Sequence, residues 1–391
     1  MNKEEVRELW PTKQLFAVLK IAEVCNLKCP YCYFFFGGDN SFEKDPKRIP
    51  ISTVRAVARY LAEGAAELGY TRVDISLHGG EPLMVGKRHF TALCEALLEG
   101  FEGQVPLGLN MQTNATLIDR EWTEIFRRFG IGVGISIDGL PDVHNRTRID
   151  KKGRGTYAET IAGLETLREH HADVGALCVI DPGSDGAETY RHLVHVLGLR
   201  SIDFLLPLQN WDNNDPEQTA GTTRFYEGVT EAWLEDNNPK VSIRTLSDPM
   251  MAMLSDKGAA RRAAGLHSAS HAITIRSNGD VCPDDTLTSL NPAYRDTGFN
   301  VASGTLAEFM DQPFWKEIVA SNVSSRADCG DCRWWSICHG GHPDHRYGTT
   351  TKFDRKTTYC QTYKSVFGRI EEYVSAAVPA AVLDARLGVV T

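Results

Sequence analysis

The sequence predicts an α/β fold, a partial (β/α)6 TIM-like barrel followed by a loop-rich C-terminal domain. Three observations carry this. From Leu15 to about Leu206, short β-branched or apolar runs alternate with longer segments whose apolar residues recur at three and four spacing, as successive β-α units of a parallel sheet require. Six such units are visible, too few for a closed eight-stranded barrel. Beyond about Lys240 the alternation stops, and cysteines gather in a stretch with few apolar residues. The 391 residues, at about 150 per domain, allow two or three domains, and the change of pattern divides them into residues 1–240 and 241–391.

The predicted strands are Leu15–Ile21, Arg72–Leu77, Pro106–Gln112, Gly132–Ile137, Val174–Ile180 and Ile202–Leu206. The helices between them are Ile51–Leu68, Gly86–Leu98, Asp119–Phe129, Tyr157–His170 and Glu188–Leu197. A polar stretch, Gln209–Gln218, precedes one more helix, Thr222–Glu235. Ala272 to Val281 reads as a hairpin turning at Asn278-Gly279, the dipeptide preferred in type I′ turns. Thr305–Val319 follows as a helix. Cys329 to Cys360 needs a staple to order it.

Composition narrows the class. Hydrophobic residues make up 42%, charged residues 24%, and the net charge is −9, the profile of a soluble globular protein and a poor one for binding nucleic acid. Met1 to Pro11 carries three glutamates and no apolar run, unlike a signal peptide. No stretch approaches the ~18 apolar residues of a membrane helix. Ten cysteines are too few for a disulfide scaffold yet too clustered for core filler, so a reducing cytoplasm with metal or redox chemistry is expected.

Cys25, Cys29 and Cys32 follow the first strand at x3 and x2 spacing. Three thiolates on a short loop can hold a [4Fe–4S] cube with its fourth iron open to an exogenous ligand; a zinc loop is the alternative, though structural zinc favours paired C-x-x-C knuckles. Here the chain resembles the radical S-adenosylmethionine (SAM) enzymes, whose C-x3-C-x-aromatic-C signature is matched by Cys25, Cys29, Tyr31 and Cys32. The resemblance implies that SAM chelates the open iron and is cleaved to a 5′-deoxyadenosyl radical. His78-Gly79-Gly80-Glu81-Pro82 resembles the family's GGEP motif at the SAM amino group; glycines let backbone approach a ligand, and Glu81 can accept from an ammonium. Asn114 and Ser136 resemble ribose- and substrate-facing positions, Ser136 being the ribose candidate. Arg146, Arg148 and Arg154 include a partner for the SAM carboxylate, for which Arg148 is the choice.

Cys329, Cys332, Cys338 and Cys360 form a second group, able to bind zinc or an iron–sulfur cluster. It resembles the C-terminal SPASM extension of radical SAM peptide-modifying enzymes, which implies that these four ligate an outer auxiliary [4Fe–4S] cluster. Two departures stand out. His342 occupies the family's next cysteine position, and Asp284 another, with Cys282 two places early. One auxiliary cluster and no complete inner one is therefore expected, whether or not Cys282 or His342 touches metal; Cys94 and Cys178 read as core residues. Asp285 matches the substrate base of sulfatase-maturing relatives.

The expected task is hydrogen abstraction from a side chain of a ribosomally made precursor peptide, leading to an intrapeptide crosslink such as a cyclophane. Formylglycine formation in a sulfatase is the alternative within enzymes, and a non-catalytic zinc-bearing binding protein the alternative outside them. The expected partners are the precursor peptide and an electron donor such as flavodoxin or ferredoxin, with neither nucleic acid nor membrane. The 24 residues before Cys25 are too few for a separate leader-binding domain.

Overall fold

The computed structural model describes residues 14–169, 173–260, 262, 272–324 and 328–387. The glutamate-bearing segment Met1 to Pro11 lies outside these. The chain forms two compact units, each discontinuous in sequence: Met1–Ser136, Asn145–Val174 and His271–Glu317 in the first, and Ile137–His144, Gly175–Ser270 and Ile318–Thr391 in the second.

In the first unit the strands are β1 (Gln14–Ala22), β2 (Arg72–Gly79), β3 (Leu107–Thr113) and β4 (Gly132–Ser136). They pair in parallel in the order β4-β3-β2-β1. The second unit holds β5 (Gly175–Val179), β6 (Ser201–Leu205) and the short β7 (Ser242–Ile243), also parallel. The chain then returns to the first unit with β8 (Ile273–Ile275), parallel to β1, and β9 (Val281–Pro283), antiparallel to β8. The predicted α/β class and its parallel strands are thus present, but the units interleave instead of dividing at residue 240, because β8 pairs beside β1.

Local sequence explains the elements. From Ala17 to Ala22 every residue of β1 is buried, as in a strand covered on both faces, so the charge of Lys20 has to be met inside. The helix Ile51–Leu68 buries Val54, Val57, Ala58, Leu61 and Ala65, a single stripe at helical spacing. It ends at Gly69, whose φ of 78° suits glycine.

Four elements depart from the sequence reading. The helix expected over Thr305–Val319 is two helices, Leu306–Met310 and Pro313–Ser324. Pro313 lacks an N–H and disfavours helical backbone at Gln312, so the first helix stops there. The segment from Gly186 is α-helical only to Arg191 and continues as a π-helical turn, His192–Val196. In the β8–β9 turn Gly279 takes a φ of 91° while Asn278 does not have positive φ, so the type I′ pair is absent; Asn278 instead bonds Asp45 and Asp280 through its side chain. The helix Arg244–Leu254 encloses Pro249, which masks it in a propensity reading. Among the described residues no helix is long and apolar enough to cross a membrane.

Candidate active site and four-cysteine pocket

The loop carrying Cys25, Cys29 and Cys32 follows β1 directly in the first unit. Cys32 N–H donates to the Cys29 carbonyl at 3.1 Å, and Leu27 N–H donates to Cys25 Sγ at 3.3 Å. Asn114, just past β3, reaches across to Asn26 Oδ1 at 2.9 Å. Burial pushes the Cys25 thiol up to about 12 against the opposing pull of the Leu27 amide, while the neighbouring Cys29 and Cys32 add to the rise. Burial also raises Cys32. Three thiols on one short loop, with Cys29 and Cys32 both acting on Cys25, fit an iron–sulfur cube with an open iron.

Gly79 and Gly80 also allow a close approach within the protein itself. A Cβ on Gly79 would lie 2.1 Å from the Ala22 carbonyl oxygen, and one on Gly80 2.4 Å from that of Val24. Their absence lets Gly80 N–H donate to Ala22 O at 2.7 Å and Glu81 N–H to Val24 O at 2.8 Å. The glycines therefore press the β2 turn against the chain entering the cysteine loop. Glu81 is 1% exposed, and its carboxylate accepts from Leu83 N–H at 3.1 Å, Thr113 Oγ1 at 2.7 Å and Asn114 N–H at 2.9 Å. With three of its roughly four acceptor sites occupied, Glu81 acts first as a clasp between the ends of β2 and β3. Burial raises its carboxyl, opposed chiefly by the Asn114 amide.

The three candidate arginines separate. Arg148 is buried, lies 5.7 Å from the Tyr31 ring centroid and is felt by Glu81 and Cys32. Arg154 is exposed and paired with Asp150, and Arg146 is exposed. Ser136, at the end of β4, accepts from Gln112 Nε2 at 2.9 Å.

Asp285 opens a short helix, Asp285–Thr288, capped by the Asp284 side chain, which accepts from Thr286 N–H. Its carboxylate accepts from Tyr33 Oη at 2.7 Å and lies 3.7 Å from Lys20 Nζ, the two side chains being 8% and 3% exposed. Lys20 also sits 4.3 Å above the Phe34 ring. The parallel register sets Lys20 level with His78, whose ring burial depresses toward the neutral form. Sequence reasoning missed Tyr33 and Lys20; a lysine inside an apolar strand was the available signal.

In the second unit Cys329, Cys332, Cys338 and Cys360 line one pocket, walled by Trp334, Trp335, Tyr363 and Phe367. A turn joins Cys329 to Cys332, Cys338 ends the helix Trp335–Cys338, and Cys360 begins Cys360–Val374. Burial pushes Cys338 up to about 12, and Cys360 adds to it. Among the described residues no three Cys, His, Asp or Glu side chains gather as one metal ion needs. Four cysteines lining one pocket are consistent with an auxiliary iron–sulfur cluster.

The departing positions are engaged elsewhere. His342 Nδ1 lies 2.7 Å from Asp344 Oδ1, and Asp284 caps its helix. Cys282 is buried and its thiol donates to the Arg295 carbonyl at 3.3 Å, while Cys94 and Cys178 are buried core residues.

Residues 19–194 match the Radical SAM superfamily. A cysteine-type anaerobic sulfatase-maturating enzyme of Clostridium perfringens strain 13 is 26% identical over 357 residues, covering 88% of this chain and 92% of the relative. A serine-type counterpart of Bacteroides thetaiotaomicron is 23% identical over 385 residues, covering 93% and 91%. A solved structure of native anSMEcpe with bound AdoMet and Cp18Cys peptide superposes with a TM-score of 0.74 at 21% identity, covering 96% of this chain and all of the other. The chain is thus an enzyme whose residues 19–194 carry a radical SAM domain, of a family that uses SAM and a [4Fe–4S] cluster.

Proposed function

We propose that this radical SAM enzyme oxidises a side chain of a ribosomally synthesised precursor peptide and closes an intrapeptide crosslink, a cyclophane or similar. Asp285 carries this reading: a buried carboxylate beside a phenol and an ammonium is equipped to take the proton that a substrate carbon radical must shed on oxidation. Cys25, Cys29 and Cys32 would hold the cluster, with Arg148 at the SAM carboxylate and Tyr31, Asn114 and Ser136 around the nucleoside. SAM and the cluster held there would supply the radical chemistry that removes a hydrogen atom from the peptide. Tyr33 donates to Asp285 and Lys20 lies 3.7 Å from it, which fixes the position of the carboxylate. The four-cysteine pocket would hold an auxiliary cluster able to accept the electron that leaves the substrate. A low-potential donor such as flavodoxin or ferredoxin would supply the initiating electron.

The crosslink is favoured by the run from Cys338 to Tyr347, which resembles that of crosslinking maturases, and by His342 and Asp284 standing where cysteines are expected. The second reading, formylglycine formation, is favoured by the sulfatase-maturating relatives. Co-expression with a short precursor from a neighbouring reading frame, followed by mass spectrometry, tests both. Loss of two hydrogens without reaction toward an aminooxy reagent is the expected result; an aldehyde reactive toward that reagent would establish the second. Asp285→Asn should lower product by about a hundredfold or more while 5′-deoxyadenosine still forms. Product at the wild-type rate would remove Asp285 from the mechanism.

A further inference from the structure

Cys338 is flanked in sequence by two carbonyls, and each is bound by a different arginine. Arg262 Nε donates to the Ile337 carbonyl at 3.1 Å. Arg346 Nη1 donates to the His339 carbonyl at 3.3 Å. Arg346 is wholly buried, and its guanidinium also donates to the carbonyls of Arg355 at 2.9 Å, Ser321 at 2.9 Å and Phe353 at 2.6 Å. Gly340, which lines the four-cysteine pocket, makes room for it: a Cβ there would lie 3.2 Å from Arg346 Cζ.

Carbonyl dipoles solvate the buried guanidinium of Arg346, on which Asp354 also acts, and Arg262 lies 3.8 Å from Asp248. Both cations act on the pocket: Arg346 on Cys329 and Cys338, and Arg262 on Cys338. Four thiolates around a [4Fe–4S]2+ core carry a net charge of −2, and one-electron reduction makes it −3. Cations held at fixed distance in a poorly solvated interior favour the more negative state, and cluster potentials respond to local charge and hydrogen bonding.

From this we infer that Arg262 and Arg346 are positioning residues for charge, raising the reduction potential of the cluster in the four-cysteine pocket and so making it an electron acceptor. The inference rests on the auxiliary cluster proposed above. Both arginines act through the backbone around Cys338, and neither is placed as a ligand.

The test uses the full chain with Cys25, Cys29 and Cys32 replaced by alanine, reconstituted anaerobically, so that only the auxiliary cluster is titrated and read by electron paramagnetic resonance. Arg262→Gln should lower the reduced-to-oxidised ratio at a fixed poise at least tenfold, equivalent to 59 mV for one electron. Arg346→Gln should do the same, and Arg346→Lys, which keeps the charge, should restore most of the shift. A four-iron cluster whose midpoint is unmoved by Arg262→Gln would overturn the inference. Among the described residues Arg262 donates to one carbonyl, that of Ile337, so that variant decides the matter even if Arg346→Gln does not fold. Zinc, or no iron, in the parent protein would overturn the auxiliary-cluster reading itself, an outcome distinct from an unmoved midpoint.

Discussion

Replacing Gly80 with alanine probes how the cysteine loop is held. The new Cβ would lie 2.4 Å from the Val24 carbonyl oxygen, 2.6 Å from its carbon and 2.9 Å from Phe35 Cζ. Ordinary contact begins near 3.4 Å, so the backbone before Cys25 must retreat by about 1 Å. That retreat stretches the 2.8 Å bond from Glu81 N–H to Val24 O beyond hydrogen-bond range. Overpacking costs about 1–3 kcal/mol and stranding a buried amide about 1–3 kcal/mol more. A loss of this size should lower the first thermal transition by about 2–4 °C per kcal/mol. Because the displaced residues lead into Cys25, iron and labile sulfide per chain after anaerobic reconstitution should fall as well. Gly368→Ala is the control: its Cβ meets nothing within 4 Å, and in a helix interior the change should be neutral or stabilising by up to ~1 kcal/mol. If Gly80→Ala loaded iron fully and melted at the wild-type temperature, the packing argument for the GGEP turn would fail.

Cys29→Ala should abolish 5′-deoxyadenosine formation, since the cluster then keeps two of three proposed ligands; cleavage at the wild-type rate would contradict the assignment. Cluster loading should strengthen with rising pH. The Cys25 and Cys338 thiols are pushed up to about 12, so at neutral pH the empty sites are protonated and loading releases those protons. Reconstitution at pH 6.5 and 8.5, read by iron retained against a chelator, should show weaker retention at the lower value; equal retention would count against buried thiols as ligands.

What the sequence disclosed depended on whether the cause was local. The helix Ile51–Leu68 was readable end to end because its apolar stripe and Gly69 are properties of the segment itself. The cysteine loop was readable because metal-ligand spacing is written along the chain. Tyr33 and Lys20 were not, since their meaning depends on Asp285, some 250 residues away in sequence. Gly79 and Gly80 were found as a motif, but their tight packing on Ala22 and Val24 was not legible, because those neighbours lie far away in sequence. Arg148 could be separated from Arg146 and Arg154 only by burial.

The pairing of β8 with β1 carries a cost during synthesis. Ala17 lies opposite Ile273 and Leu19 opposite Ile275, partners separated by 256 positions. At 5–20 residues per second the ribosome needs roughly 13–50 seconds to deliver them. Throughout that interval an apolar strand edge, Ala17 to Leu19, waits without its neighbour, the kind of edge on which nascent chains aggregate. A fragment ending near residue 240 would leave that edge open permanently, so the two halves of this polypeptide are poor candidates for separate expression.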